Sequence, residues 1–264
     1  MGIVNVTEDS FYDGGRYVDA GVAVDHALRL VGDGADIIDI GGSSSRPGAK
    51  LLPADAEAAR VVPVVEALVR RGVGVPVSVD TVWSAVAERV LGAGASWVND
   101  ISSGRIDAAM PGVVARAGCT VVLMHSRGTP ETMRGEARYG DVVGEVAGEL
   151  MLAVDRFLLA GVDRGKIVLD PGFGFAKDAG QNISLLRGID KVARLGYPVL
   201  VGVSRKSFIG EVTGRGVEER LPGSLAAAGI AYGGGARIFR VHDVRETVDF
   251  LRVLNEAGFG DGRE

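Results

Sequence analysis

Eight short apolar runs, rich in β-branched residues, recur along this chain: "GIVNV", "ADIIDI", "VPVSVD", "ASWVND", "TVVLMH", "KIVLD", "PVLVGVS" and "ARIFRV". Helical patterns lie between them. Val142, Val146, Leu150, Val154 and Phe157, for example, are spaced by three or four and turn one apolar stripe toward a core. Strand followed by helix, repeated, implies parallel strands with helical crossovers, either as an open doubly wound sheet or as a closed barrel. Eight such units in about 250 residues is the usual size of a (β/α)8, or TIM, barrel. The open sheet would bring a glycine-rich nucleotide fingerprint after its first strand, whereas here that strand runs into "TEDSFYDGGRY". The expectation is an α/β chain forming a (β/α)8 barrel as a single domain over residues 1–264, since no boundary or repeat is evident.

Composition bounds the partners. In 264 residues, 47% hydrophobic content is enough for a large core, and the 40 glycines cluster in short groups between apolar segments, as tight turns require. A net charge of -5 excludes a chain built mainly to hold a nucleic-acid backbone. Cys119 stands alone, so there is no disulfide framework or multi-cysteine zinc site. No apolar run approaches the roughly 20 residues of a membrane span, and the chain enters "GIVNV" at once without a signal-peptide pattern. These features lead us to expect a cytoplasmic protein with neither nucleic-acid nor membrane partners.

Barrel chemistry sits at the carboxyl ends of the strands. Standing there are Asn5, Asp39, Asp80, Asn99 with Asp100, His125, Asp170, Ser204 with Lys206, and Arg240 with His242. Taken singly, an Asp or Asn after a strand is most often a turn former or helix cap. The cations are harder to explain that way, because positive charge is unfavourable at the N-terminal ends of the helices that begin on this rim. A shared anionic ligand would account for Arg46, Lys206, Arg240 and His242 together. The run "PVLVGVSRKSFIG" poses the question sharply, since a buried strand exits onto two adjacent cations, Arg205 and Lys206.

The segments "GIVNVTEDSFYDGG", "DIGGSSSRPGA", "SVDT", "NDIS", "VLMH", "DPGFGFAK", "VGVSRKSFIG" and "RVHDV" stand in order, and together they closely resemble the dihydropteroate synthases over nearly the whole chain. That family has the barrel fold. The resemblance implies a folate-biosynthesis transferase, the sulfonamide target, that joins hydroxymethyl-dihydropterin pyrophosphate to 4-aminobenzoate. It also implies a homodimer. A flat pterin needs carboxylate and carboxamide groups at depth with apolar walls. Asp80, Asn99 and Asp170 would supply the first and Ile101, Met124 and Phe175 the second, with Gly202 and Arg240 also at the pterin. Asp170 either accepts hydrogen bonds from the ring edge or pairs with Lys206, and the two roles are compatible. Lys206 would turn inward between the two substrates, and Arg205 would be solvated or packed against the outer loops.

By the same resemblance, Arg240, His242, Ser45 and Arg46 would hold the pyrophosphate, arginine through paired hydrogen bonds. Asn5 would hold magnesium (Mg2+) carried with that group, or else bond the loop backbone. Phe11, Ser45, Arg46, Pro47, Ser204 and Lys206 would line the aminobenzoate site. The expected catalytic set is Lys206, Asp80, Arg240 and His242, acting by positioning and charge stabilisation without a covalent nucleophile. His125 reads as structural and His26 as a surface residue. The loops "TEDSFYDGGRY" and "GGSSSRPGAK" read as lids. Two positions depart from the family, Ser43 where Glu is usual and Glu8 where Pro is common, so aminobenzoate and sulfonamide selectivity depend on altered loops. Rival readings are a pterin-binding paralogue without catalysis and a pterin-dependent methyltransferase.

Overall fold

The computed structural model describes residues 1–6 and 16–259, with the side chains of 16–19 left out. Eight parallel strands alternate with helices: β1 (Gly2–Asn5), α1 (Arg16–Gly32), β2 (Ile38–Gly41), α2 (Ala54–Arg70), β3 (Val77–Asp80), α3 (Ser84–Gly92), β4 (Trp97–Asp100), α4 (Met110–Ala117) and β5 (Thr120–Met124). They continue with α5 (Val142–Leu159), β6 (Ile167–Asp170), α6 (Ala179–Arg187), α7 (Ile189–Ala193), β7 (Leu200–Val201), α8 (Ser207–Thr213), α9 (Leu221–Gly233), β8 (Ile238–Phe239) and α10 (Val244–Glu256). Each of the eight apolar runs contains one strand.

β1 to β6 pair in sequence order and β7 pairs with β8. Parallel bridges Leu169–Val199 and Gly2–Val241 join the two sets, completing the ring of a (β/α)8 barrel. β7 and β8 are shorter than their apolar runs. Pro198 has no N–H to give and instead accepts the Leu169 N–H at 2.9 Å, so regular pairing starts late on β7.

Side chains alternate between the two faces of a strand, and this alternation builds the site. Val4, Ile40, Val79, Val98, Val121, Ile167, Val201 and Phe239 join the main core beneath the helices. Their neighbours therefore point into the barrel. At its lower end these are Met1, Val122, Val168 and Leu200, a separate apolar cluster. Toward the carboxyl ends the inward positions become Asn5, Asp39, Asp80, Asn99, Met124, Asp170, Gly202 and Arg240. The register places Asn5 beside Gly41, Gly41 beside Asp80, and Asp80 beside Asn99.

Candidate active site

The floor of the barrel mouth is a charge cluster. Arg240 donates from Nε to Asp39 Oδ2 at 2.6 Å and from a terminal nitrogen to Asp80 Oδ2 at 3.0 Å. The Asp39 side chain is fully buried and that of Asp80 is 11% exposed, so the guanidinium neutralises charges that water cannot reach. Burial works to lower the pKa of Arg240, but the two carboxylates outweigh it and the value is raised. Asn99 gives its Nδ2 to Asp39 Oδ2 at 3.1 Å. A carboxylate only accepts, which fixes the orientation of the amide and leaves Asn99 Oδ1 facing away. That oxygen and Asp39 Oδ1 are buried without any hydrogen-bond partner. Orphaned acceptors at the carboxyl ends of barrel strands call for a ligand that brings donors.

Asp170 ends β6, and its Oδ1 accepts the Gly172 N–H at 2.7 Å, leaving Oδ2 available. Burial raises its pKa to about 6 against the opposing pull of that bond, Lys206 and Arg240. Ile101, Met124 and Phe175 belong to one apolar cluster with Val82, Met133 and Ala176, which forms a wall. Gly202 faces open space where a side chain would project. The expected pterin residues are thus brought together.

Lys206 corrects one expectation, because it forms no ion pair with Asp170 among the described residues. Its ammonium instead lies over the Phe175 ring, 4.5 Å from the centroid. Desolvation, then repulsion from Arg240, push its pKa down to about 8, while Asp170 and Asp80 act at longer range to hold its charge. The other cation turns away. Arg205 takes a left-handed backbone (φ 56°) and clamps Asp243 with two bonds, 3.0 and 2.6 Å, while a third reaches Glu218. It is packed against the outer loops and ion-paired there, and the turn at Arg205 sends successive side chains to opposite sides.

His242 corrects another expectation. Its Nδ1 lies 3.0 Å from Ser204 Oγ, and partial burial together with the charges of Arg240 and Arg205 pushes its pKa down to about 4. The ring reaches the surface and is neutral at pH 7 in the unliganded protein. Ser45, Arg46 and Pro47 lie on the loop between β2 and α2, with Arg46 and Pro47 exposed. Gly48 N–H ties that loop to Pro130 O at 2.8 Å, Leu52 N–H reaches Ser43 Oγ at 3.3 Å, and Trp83 Nε1 reaches Leu52 O at 2.8 Å. No contact joins Arg46 to the floor cluster among the described residues. Phe11 and Glu8 lie outside the described residues.

Asn5 is exposed at the end of β1, and its Oδ1 and Asp80 Oδ2 flank Gly41. Among the described residues no group of three His, Cys, Asp or Glu side chains is arranged to hold a metal ion. One amide oxygen suits an ion carried chiefly by substrate phosphates. Asp100 is a turn former, bonding Ser102 N–H, Ser102 Oγ–H and Gly104 N–H.

Asp39, expected on the rim, received no role from the sequence, and Lys177 was not singled out. Asp39 was visible as a polar residue inside the alternating run "DIIDI", and Lys177 as a cation inside "DPGFGFAK".

A family profile described as "Pterin binding enzyme" matches residues 1–242. The chain is 44% identical over 256 residues to the dihydropteroate synthase of Synechocystis sp., covering 97% of this chain and 88% of that protein. A solved structure of Xanthomonas albilineans dihydropteroate synthase with 4-aminobenzoic acid superposes with a TM-score of 0.91 at 44% identity, over 98% of this chain and 92% of that one. Another from the same organism, in complex with 7,8-dihydropteroate, gives 0.87 at 41% identity, again over 98% and 92%.

Proposed function

We infer the activity from what the chain is: it belongs to the pterin-binding enzyme family, and it is a dihydropteroate synthase. It joins hydroxymethyl-dihydropterin pyrophosphate to 4-aminobenzoate in folate biosynthesis. The carbon–oxygen bond of the pterin methylene breaks with its electron pair going to pyrophosphate. The aminobenzoate nitrogen bonds the same carbon and sheds one proton to solvent or to the leaving group.

The observation that carries the assignment of parts is the convergence of inward-facing polar groups, the orphaned Asn99 Oδ1 and Asp170 with only its Oδ1 engaged by Gly172 N–H, beside the apolar wall. These acceptors take the N–H groups of the pterin edge, while Met124, Ile101 and Phe175 cover its faces. Asp80 has a second role, since with Asp39 it fixes the Arg240 plane. Two of the five guanidinium donors are engaged there, which leaves the others for the departing phosphate. Lys206, above Phe175, sits where its ammonium stabilises the same developing charge. Ser204 holds the His242 tautomer that directs Nε2–H outward to the phosphates.

Asn5 would hold the magnesium ion that arrives on the pyrophosphate and neutralises part of its charge. Ser45, Arg46 and Pro47, with Phe11, complete the aminobenzoate side. The chain works as a cytoplasmic homodimer. The buried thiol of Cys119 supports the compartment, and exposed Val212, Ile230 and Val253 on α8, α9 and α10 support a second copy. No helix among the described residues is long and apolar enough to cross a membrane.

The test is dihydropteroate formation with each substrate omitted in turn. Product and pyrophosphate should appear only with both, and Lys206→Ala should lower kcat/KM about 100-fold or more. Pterin binding without product would favour the non-catalytic paralogue.

A further inference from the structure

A buried lysine is costly unless something uses it. Lys177 follows β6 at the end of the 171–176 loop and is only 8% exposed. Its ammonium donates to Gly172 O, Phe175 O and His125 Nδ1, each at 3.0 Å. Burial pushes its pKa down to about 7, and in the charged form those bonds use all three ammonium hydrogens. His125 must accept at Nδ1, so its Nε2–H donates to Glu149 at 3.1 Å, and Glu149 is held in turn by Arg127. A chain of bonds therefore runs from the β6 loop to α5, with the Tyr139 ring packed beside Lys177 and Arg127.

The carbonyls gripped by Lys177 belong to the loop that builds the pterin wall. Phe175 supplies the ring beneath the Lys206 ammonium, and Gly172 supplies the N–H that orients Asp170. A methionine of similar length would bury at Lys177 more cheaply, but it could grip neither carbonyl. Nothing else among the described hydrogen bonds engages the Phe175 carbonyl.

We propose that Lys177 is a positioning residue for the pterin half of the site: its ammonium pins the 171–176 loop at two carbonyls and so sets the Phe175 ring and the Asp170 carboxylate against the substrate ring. Through His125 and Glu149 the same ammonium anchors the loop to α5. The inference rests on the assignment of the Asp170 and Phe175 wall to pterin.

Initial rates of the full chain, with each substrate varied in turn, test it. For Lys177→Met the KM for the pterin pyrophosphate should rise about tenfold or more, while the KM for 4-aminobenzoate stays within about twofold. An unchanged pterin KM, or equal rises in both constants, would overturn the proposal, since a general loss of packing does not choose between substrates. Where the Met variant does not fold, Lys177→Gln, which keeps one donor group, is read by the same split and with the same consequences. A wild-type enzyme that makes no dihydropteroate would count against the functional assignment and not against Lys177 in particular.

Discussion

Replacing Arg240 with methionine strips the counter-charge from two carboxylates in the barrel mouth. Asp39 is fully buried and Asp80 nearly so, and each touches the guanidinium directly, at 2.6 and 3.0 Å. Removing one partner of a buried pair costs about 3–5 kcal/mol, because the charge left behind is neither paired nor hydrated. For a chain of this length each kcal/mol shifts Tm by roughly 2–4 °C, so the midpoint should fall by roughly 10 °C. The sign of the pH dependence follows from the same charges. In the variant the uncompensated carboxylates take up protons while folded, at pH values where the unfolded chain is ionised. The folded state then binds more protons than the unfolded state, and its stability drops as pH rises. The deficit relative to wild type should therefore widen from pH 5 to pH 8 in thermal unfolding followed by circular dichroism. A shift under about 2 °C, equal at both pH values, would refute the claim that Arg240 neutralises the floor of the site.

Two further outcomes follow from the geometry. The kcat/KM for the pterin pyrophosphate should be bell-shaped: it falls as pH drops through about 7 and then 6, where Asp80 and Asp170 in turn take up protons, and as pH rises through about 8, where Lys206 loses its charge. Lys206→Ala should keep the acidic limb and lose the alkaline one, and an alkaline limb that survives would remove Lys206 from it. Gly172→Ala places a methyl 1.9 Å from the His125 carbonyl oxygen at a backbone angle of φ 70°. It should destabilise by about 3 kcal/mol or more in denaturant titration, from left-handed strain together with a clash against backbone that cannot move aside.

The sequence carried the fold in its eight alternating runs, and most of the pterin residues in what followed each run. Asp80, Asn99, Asp170 and Arg240 were legible because strand ends in a barrel share one rim. The run "DIIDI" places Asp39 on the same rim, yet it gives that carboxylate no role until its partner, 201 positions away, is known. For the same reason the ion pair expected between Asp170 and Lys206 was misplaced. The sequence puts both at strand exits, but the left-handed turn at Arg205 and the Phe175 ring decide where the ammonium rests. The lowered pKa of His242 comes from burial first and then from Arg240 and Arg205 facing it, and neither burial nor neighbouring charge is visible before the chain is folded.

The most direct measurement is a calorimetric titration of dihydropterin pyrophosphate into the full chain and into Asp170→Asn, both verified as folded. Binding in the wild type that weakens by about ten- to hundredfold in the variant is the result expected when a charged acceptor holds the ring edge. Equal affinity for the two proteins would mean that the β6 carboxylate does not hold the pterin and that the site is organised in some other way.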